Sequence, residues 1–511
     1  CTVVGPAAAG ERLQRFASRA FREHVGGKAG LLHSSARLGA AVACSGGRLL
    51  VNGAAAAGRQ VLSEGDVVTL RRAADASEGG PAWPDMLSRA EYVGPPSRML
   101  HVADKGALPP AARDDSEGRR SFRAYYRDLQ RVCEPDEWDR CEALFDAPLP
   151  VSLRLNRSSP LHAWAAQALR DALGSRLEPV PWMDAHGGAA HVAPAASEAE
   201  AEAGVDFVKR MSALGDVVVQ DAASMLPVLA LAPEPSSCVL DACAAPGGKT
   251  CHLLDAMCAA AAPALPTGVL VASDLRPERA QRICARARCQ GCVPLVVAAH
   301  DASTFPSLAP EGFDRILCDV PCSSDGMSRK EVGRLARWSA AAGGRNHPAQ
   351  LAVLLRGLSL LRHGGRLVYS TCSMNPLEDE AVVRAALLAV GEPRRGRLRL
   401  VPADLALPAG CPRGAPGLLA WRAPGPDFGS SGGSFGSLEE VPEHLRADYP
   451  GTLFCGDPDR NRELGLEGCA RLLPTRGHNV GGFFFAVFES TAEPGPAAPP
   501  APLPGGGGAC A

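Results

Sequence analysis

No apolar run in this 511-residue chain approaches the ~18–20 residues that a membrane-spanning helix needs, which argues against a protein that crosses a bilayer by helices. Net charge is lacking too. Lys and Arg number 53 against 55 Asp and Glu, a formal charge of −2, so the chain as a whole has no general attraction for nucleic acid. RNA binding would have to come from local clusters such as Arg12, Arg15, Arg19 and Arg22, or Arg329, Lys330, Arg334 and Arg337. Lysine is rare, occurring at Lys28, Lys105, Lys209, Lys249 and Lys330 only. Cysteine is not rare, but the 18 cysteines are scattered through a long chain rather than packed into a short one, which excludes a small disulfide scaffold and favours reduced thiols. Cys289-Gln-Gly-Cys292 has no second Cys/His pair at matching spacing and reads as structural thiols, so no metal is expected. These features suit an intracellular protein of the nucleus or cytoplasm, with an organelle left open because the chain begins at Cys1 rather than Met.

The length predicts several domains. Residues 1–75 read as a small basic module, with a helix over 11–23 and a hairpin built from 48–53 and 66–70. Residues 76–120, rich in Ala, Pro, Gly and charge, read as a linker. Residues 121–211 form a compact α/β unit with a helix over 122–129 and a strand within 148–156, and 212–490 alternate strand and helix. The tail, 491–511, is expected to be disordered, and the stretches 195–203 and 429–437 read as surface insertions. The layout of about 11–72 resembles the small RNA-binding domain first described in a ribosomal protein and shared by pseudouridine synthases; a basic module that binds something else is equally compatible.

Within 212–490, the runs Cys238–Asp241, Val269–Asp274, Leu295–Asp301, Arg315–Asp319 and Arg366–Ser370 are short and apolar, as suits strands buried on both faces. Four of the five end in aspartate. In a doubly wound sheet, ligands bind beyond the carboxyl ends of the strands, so Asp241, Asp274, Asp301 and Asp319 would surround one site. The first strand runs into Cys243-Ala244-Ala245-Pro246-Gly247-Gly248-Lys249, whose glycines let backbone approach a ligand. A phosphate loop would need glycine where Cys243 stands, and the spaced glycines of a dinucleotide site are missing. Asp274 suits the ribose hydroxyls of an adenosine. Lys249 is either a compact charge needed near a carboxylate or a chance survivor of a composition that favours arginine.

Two cysteines follow strand-like runs of this core, Cys322 in Asp319-Val-Pro-Cys-Ser-Ser324 and Cys372 in Tyr369-Ser-Thr-Cys-Ser373. Together with Arg154-Leu-Asn156, Gln220–Pro227, the Cys243–Lys249 loop, Asn375-Pro-Leu-Glu378-Asp-Glu380 and Gly481–Val487, these motifs resemble the Nop/Sun family of RNA cytosine-5 methyltransferases over about residues 121–490, most of all its eukaryotic tRNA branch.

The resemblance implies a Rossmann-like, seven-stranded methyltransferase core in an α/β chain with an N-terminal α+β RNA-binding extension. It implies S-adenosylmethionine held by the 243–249 loop, Asp274, Asp301 and Asp319, with RNA, in particular tRNA, as partner. In that family pattern Cys372 is the nucleophile, Cys322 aids product release, and Asp319 pairs with the ring nitrogen next to the amino group. The chemistry needs these groups. Carbon 5 of cytosine is a poor nucleophile until a thiolate adds at carbon 6, and the base must be unpaired or flipped to be reached. Either cysteine could be the nucleophile on the motifs alone. Ser324 stands where the family usually has glycine, which puts turnover more than binding in question. Glu378, Asp379 and Glu380 are expected to start the next helix and complement its dipole. An rRNA substrate, or a binding scaffold with weakened catalysis, are the alternatives.

Overall fold

A computed structural model describes residues 48–51, 54–55, 68–71 and 116–491, apart from breaks at 148, 187, 194–196, 263, 288–293, 309–310, 331–332, 391–397, 430–432 and 476–478. The helix expected over 11–23, most of segment 76–120, the Cys289/Cys292 pair and all but the first residue of the tail lie outside the described residues. Of the N-terminal module, β1 (Arg48–Val51) pairs antiparallel with β3 (Val68–Arg71), strands that overlap the two runs expected to form a hairpin, and also with β2 (Ala54–Ala55), which lies outside both runs.

Helix α1 (Glu117–Arg123) begins inside the stretch read as linker, which corrects that boundary; the Ser116 hydroxyl caps it by accepting from the Arg119 amide at 3.3 Å. It continues as a wider turn through Ala124–Leu129 and is followed by α2 (Pro135–Phe145). Phe122, Tyr125, Tyr126 and Trp138 from this region pack into an aromatic cluster with Trp338, Met374 and Leu473. The segment is therefore fastened to the C-terminal core.

β4 (Val151–Leu155), β5 (Leu177–Pro179), β6 (Ala189–Val192) and β7 (Val217–Val219) form an antiparallel sheet in the order β5-β6-β4-β7. Helices α3 (His162–Leu173) and α4 (Glu198–Leu214) bury Leu169, Leu173, Val205, Val208 and Met211 against it. The fourth strand lies past Met211, where the sequence places the unit's end. The acidic alanine stretch is no insertion from Glu198 onward: it is the first turns of α4, started by Ser197, because Ala and Glu are strong helix formers. Arg154 of β4 is fully buried, paired with Asp255 and donating to Gln220 at 3.2 Å, which ties this sheet to the core.

The core sheet contains β8 (Cys238–Asp241), β9 (Val269–Asp274), β10 (Leu295–Ala299), β11 (Phe313–Asp319), β12 (Leu361–Thr371), β13 (Leu398–Val401) and β14 (Ala415–Pro416). After a short ribbon of β15 (Ala423–Pro424) and β16 (Ser434–Phe435), which takes in part of the stretch 429–437, the chain returns through β17 (Ala470–Leu472) and β18 (Phe483–Ser490). The order is β10-β9-β8-β11-β12-β18-β17-β14, with β13 paired to β18. Strands β10 to β12 run parallel and β18 is antiparallel to β12. The expected seven strands are thus present, extended to nine by β13 and β14.

Residues alternate between two cores along each strand. Val239, Leu270, Leu317 and Val368 face a layer containing α5 (Leu226–Leu231), α6 (Gly248–Ala261) and α7 (Pro277–Ala287). Leu240, Val271, Ile316 and Leu367 face α8 (Ala341–Leu360) and α9 (Glu380–Ala389). In α7 the buried Ala280, Ile283, Cys284 and Ala287 recur at helical spacing while its charged residues lie outward.

Candidate active site

Strand order reverses between β8 and β11, which opens a crevice beyond their carboxyl ends. Asp241, Asp274 and Asp319 end β8, β9 and β11, and Asp301 stands two residues past β10. Asp241 is fully buried. One oxygen accepts from the Thr250 hydroxyl at 2.7 Å and the other has no partner. Burial above all, eased by Thr250 and Lys249 and reinforced by Asp319 and Asp274, pushes its carboxyl up to about 7.

Asp274, also buried, accepts from the amides of Ala245 at 3.3 Å and Arg276 at 3.1 Å, and lies 3.4 Å from the Arg279 guanidinium. Asp301 is exposed and takes the Ser303 amide at 2.9 Å and hydroxyl at 2.8 Å, the contact of an ordinary turn cap. The Cys243–Lys249 loop bends back to start α6 at Gly248. Gly247 has φ +97°, and a Cβ there would sit 3.3 Å from the Ile283 Cα, so glycine is required. Cys243 is no reactive group, since burial pushes its thiol well up. Lys249 crosses to Asp319 at 2.8 Å, with its ammonium 5.3 Å from the Phe483 ring centroid. Burial alone would lower that ammonium, but Asp319 outweighs it and holds it above the ordinary lysine value. The Ser370 hydroxyl donates to the other Asp319 oxygen at 2.8 Å.

Cys322 and Cys372 are both free and half-buried, and their sulfurs lie 3.3 Å apart. The hydrogen bond between them makes them unlike. It lowers the Cys372 thiol, with help from Ser324 and Lys249, against burial and Asp319. The same bond, with burial, pushes Cys322 well up, so Cys322 keeps its proton and donates. Ser324 has φ +57°, and its hydroxyl oxygen lies 3.3 Å from the Cys372 sulfur and 3.7 Å from that of Cys322.

Glu378, Asp379 and Glu380 correct the expectation of a plain helix start: all three are fully buried and used in tertiary contacts. The Glu378 carboxylate accepts from the Ser323 amide at 2.8 Å and hydroxyl at 2.5 Å, the Ser373 hydroxyl at 2.7 Å, Asn346 at 2.7 Å and Gln350 at 3.1 Å. It therefore joins the residue after Cys322 to the residue after Cys372. Asp379 accepts from Thr371 at 2.7 Å, and Glu380 takes the buried Arg471 guanidinium through both oxygens at 2.7 and 2.5 Å. Asp325 adds a second brace, accepting from the Met374 amide at 2.9 Å, the Ser373 hydroxyl at 3.1 Å and the Tyr126 hydroxyl. The sequence offered one signal for these braces, three consecutive acids before an otherwise apolar helix.

Of the cluster Arg329, Lys330, Arg334 and Arg337, the first three are used within the fold, and Arg337 is exposed. Arg329 is buried and donates to the carbonyls of Ala147 at 3.0 Å and Val480 at 3.2 Å, burial lowering it to about 10. Lys330 pairs with the buried Asp221 at 2.8 Å, and Arg334 donates to the Ser323 carbonyl at 3.1 Å. These cations are occupied in holding the fold together. Among the described residues, no group of His, Cys, Asp and Glu is arranged to hold a metal ion, and no helix is long and apolar enough to cross a membrane.

A parallel sheet in this order, with an antiparallel strand inserted before its last member and acids at its carboxyl edge, defines a Rossmann-like methyltransferase fold, here carrying a pair of thiols. The profile of the family described as 16S rRNA methyltransferase RsmB/F matches residues 228–404. The chain belongs to that family. It is 33% identical over 419 residues to the multisite-specific tRNA:(cytosine-C(5))-methyltransferase trm4b of Schizosaccharomyces pombe, covering 73% of this chain and 59% of that protein. It is 38% identical over 285 residues to the tRNA (cytosine(34)-C(5))-methyltransferase of Drosophila melanogaster, 54% of this chain and 37% of that one. Against the tRNA (cytosine(49)-C(5))-methyltransferase of Pyrococcus abyssi it is 30% identical over 256 residues, 50% of this chain and 76% of that protein. It also matches the multisite-specific tRNA:(cytosine-C(5))-methyltransferase of Saccharomyces cerevisiae, 33% identical over 424 residues, and the chain spans 59% and 58% of the length of these two fungal proteins.

Proposed function

We propose that this chain is an S-adenosylmethionine-dependent RNA methyltransferase that forms 5-methylcytosine in tRNA, with Cys372 as nucleophile. The observation that carries the reading is the thiol pair, 3.3 Å apart, with one member lowered and the other raised, beside the Lys249–Asp319 pair at the carboxyl edge of the sheet.

The residues present fit the cofactor. Asp241, Asp274 and Asp319 converge on one edge, and the buried Asp241 oxygen without a partner marks an acidic environment suited to a ligand that carries a sulfonium and an ammonium. Asp274 keeps a second lone pair on each oxygen for ribose hydroxyls, and the 243–249 loop brings backbone close. When bound, S-adenosylmethionine supplies an electrophilic methyl group at this edge.

The chain's own residues prepare the base. The Cys372 thiolate adds to carbon 6 of an unpaired or flipped cytosine, which makes carbon 5 nucleophilic. Asp319, held in place by Lys249 and Ser370, accepts a hydrogen bond from the ring nitrogen as that nitrogen takes a proton from water, a proton it gives back when the adduct breaks down. Cys322, beside the nucleophile and holding its own proton, assists loss of the carbon 5 proton by orienting a water that accepts it, and the carbon–sulfur bond then breaks to restore the ring and free Cys372.

The test is methyl transfer by the full chain from radiolabelled cofactor to a tRNA transcript and to a ribosomal RNA fragment, with the product mapped by bisulfite sequencing. Labelled cytosine in tRNA is expected. Labelling of the ribosomal fragment alone would move the substrate, and RNA binding without labelling of either would replace the enzyme reading with a scaffold.

A further inference from the structure

Ser324 is an L-residue held in the left-handed region at φ +57°, where a side chain is strained and glycine would be at ease. Its side chain is not an idle occupant. The hydroxyl oxygen lies 3.3 Å from the Cys372 sulfur, 3.7 Å from the Cys322 sulfur and 3.4 Å from the Cys322 carbonyl oxygen. A hydroxyl has one proton, two lone pairs and a freely turning bond. With Cys372 protonated, the thiol donates to Ser324 and the hydroxyl proton points to the Cys322 carbonyl. Once Cys372 loses its proton to solvent, its sulfur becomes the strongest acceptor within reach of that hydroxyl.

We propose that Ser324 is a positioning residue for the attacking thiol, its hydroxyl turning to donate a hydrogen bond to the Cys372 thiolate while the neighbouring Cys322 donates a second. Two donors then hold the anionic sulfur in one place before RNA arrives, and no backbone has to move. The lowering of the Cys372 thiol by both neighbours agrees with this geometry. Glycine or alanine at 324 would leave Cys322 as the remaining thiol-side donor. The proposal rests on the reading of Cys372 as the nucleophile.

The test is the pH profile of Cys372 alkylation by iodoacetamide in the full chain without RNA or cofactor, read by mass spectrometry on the peptide that contains Cys372. Wild type, Ser324→Ala and Ser324→Gly are compared. Both variants should shift the profile to higher pH and slow alkylation near neutrality by roughly three- to tenfold. Ser324→Gly also removes the backbone strain and should melt at or above the wild-type temperature, so slower alkylation there does not come from unfolding. Profiles of Ser324→Gly and wild type that coincide would overturn the proposal. The two readings fail separately. A wild-type chain that methylates no RNA refutes the enzyme and not the hydrogen bond, whereas active methylation with a profile insensitive to residue 324 refutes only the role of Ser324.

Discussion

The two halves of the crevice are built differently. On the β11–β12 side, the loops that carry Cys322 and Cys372 are bound to each other by buried carboxylates that stand near one thiol and reach the other loop: Glu378, which accepts from Ser323 and also receives Asn346 and Gln350 from α8, and Asp325, which accepts from Met374 and reaches Tyr126. On the β8–β10 side the bracing is lighter: Asp301 takes the Ser303 amide two residues on, and Asp274 holds the adjoining loop by the Ala245 amide, with Arg279 donating to the Ala245 carbonyl. A nucleophile must be placed to a fraction of an ångström, and long-range buried hydrogen bonds do that. A cofactor rim has only to present acceptors. Damage on the first side should therefore cost turnover and stability together, and damage on the second should cost chiefly affinity.

The sharpest break of this contrast is within the thiol pair. Cys372→Ala should abolish methylation and form no covalent RNA adduct on denaturing gels. Cys322→Ala should still attack and then stall, with turnover lower by roughly 10²–10⁴-fold and an accumulated protein–RNA species. An adduct trapped by Cys372→Ala and absent with Cys322→Ala would exchange the two roles.

Next is the brace. Glu378→Ala leaves several buried donors without an acceptor, and urea denaturation should show a loss of about 3–5 kcal/mol. Adduct formation should fall with it. Near-normal stability and adduct yield would mean that the two loops hold their places without Glu378.

On the other side, Asp274→Asn keeps the side-chain shape while removing the charge. Cofactor affinity should drop about tenfold, the worth of one charged hydrogen bond, and stability should fall by less than with Glu378→Ala, since one backbone amide loses its acceptor. Unchanged affinity in calorimetry would remove Asp274 from the rim.

The smallest effect lies outside both halves, at Asp221 and Lys330. Burial raises the Asp221 carboxyl, but Lys330 and the Ala223 amide outweigh it and leave it below the ordinary carboxylate value. A depressed carboxyl contributes stability that is present above the unfolded value of ~3.9 and is lost as pH falls through the folded value. Asp221→Asn should thus cost about 1 kcal/mol at neutral pH, and the gap to wild type should close in strong acid. A gap that is constant with pH would show that the pair's charge contributes nothing.

Much of the core was legible in the chain because buried parallel strands leave a plain trace: Val269–Asp274 and Ile316–Asp319 are short, mostly apolar runs that stop at an acid. The cysteines were legible because each stands in a short motif beside a strand end. What joins them was not. Glu378 meets Ser323 across 55 positions, and local pattern shows only an acid before a helix, where the dipole is the nearest explanation. Arg329 failed for the same reason, since a run of cations reads as exposed until carbonyls from distant segments are found around one of them. The Glu198 turns were misread from composition, because alanine and glutamate mark a low-complexity stretch and a good helix alike.

Strand β18 sits in the middle of the core sheet although it comes near the end of the described chain. Thr371 and Arg366 of β12 find their partners at Phe484 and Glu489, more than 110 positions later. During synthesis β12 leaves the ribosome with one edge open and keeps it open until β18 arrives, so the thiol-bearing loop after β12 cannot settle early. A nascent chain stopped short of Phe483 would carry an unpaired apolar edge and be a client for chaperones or a seed for aggregation. Among the described residues β18 is the last strand to be made, so the sheet beside the Cys372 loop is complete only in chains that have been translated through it.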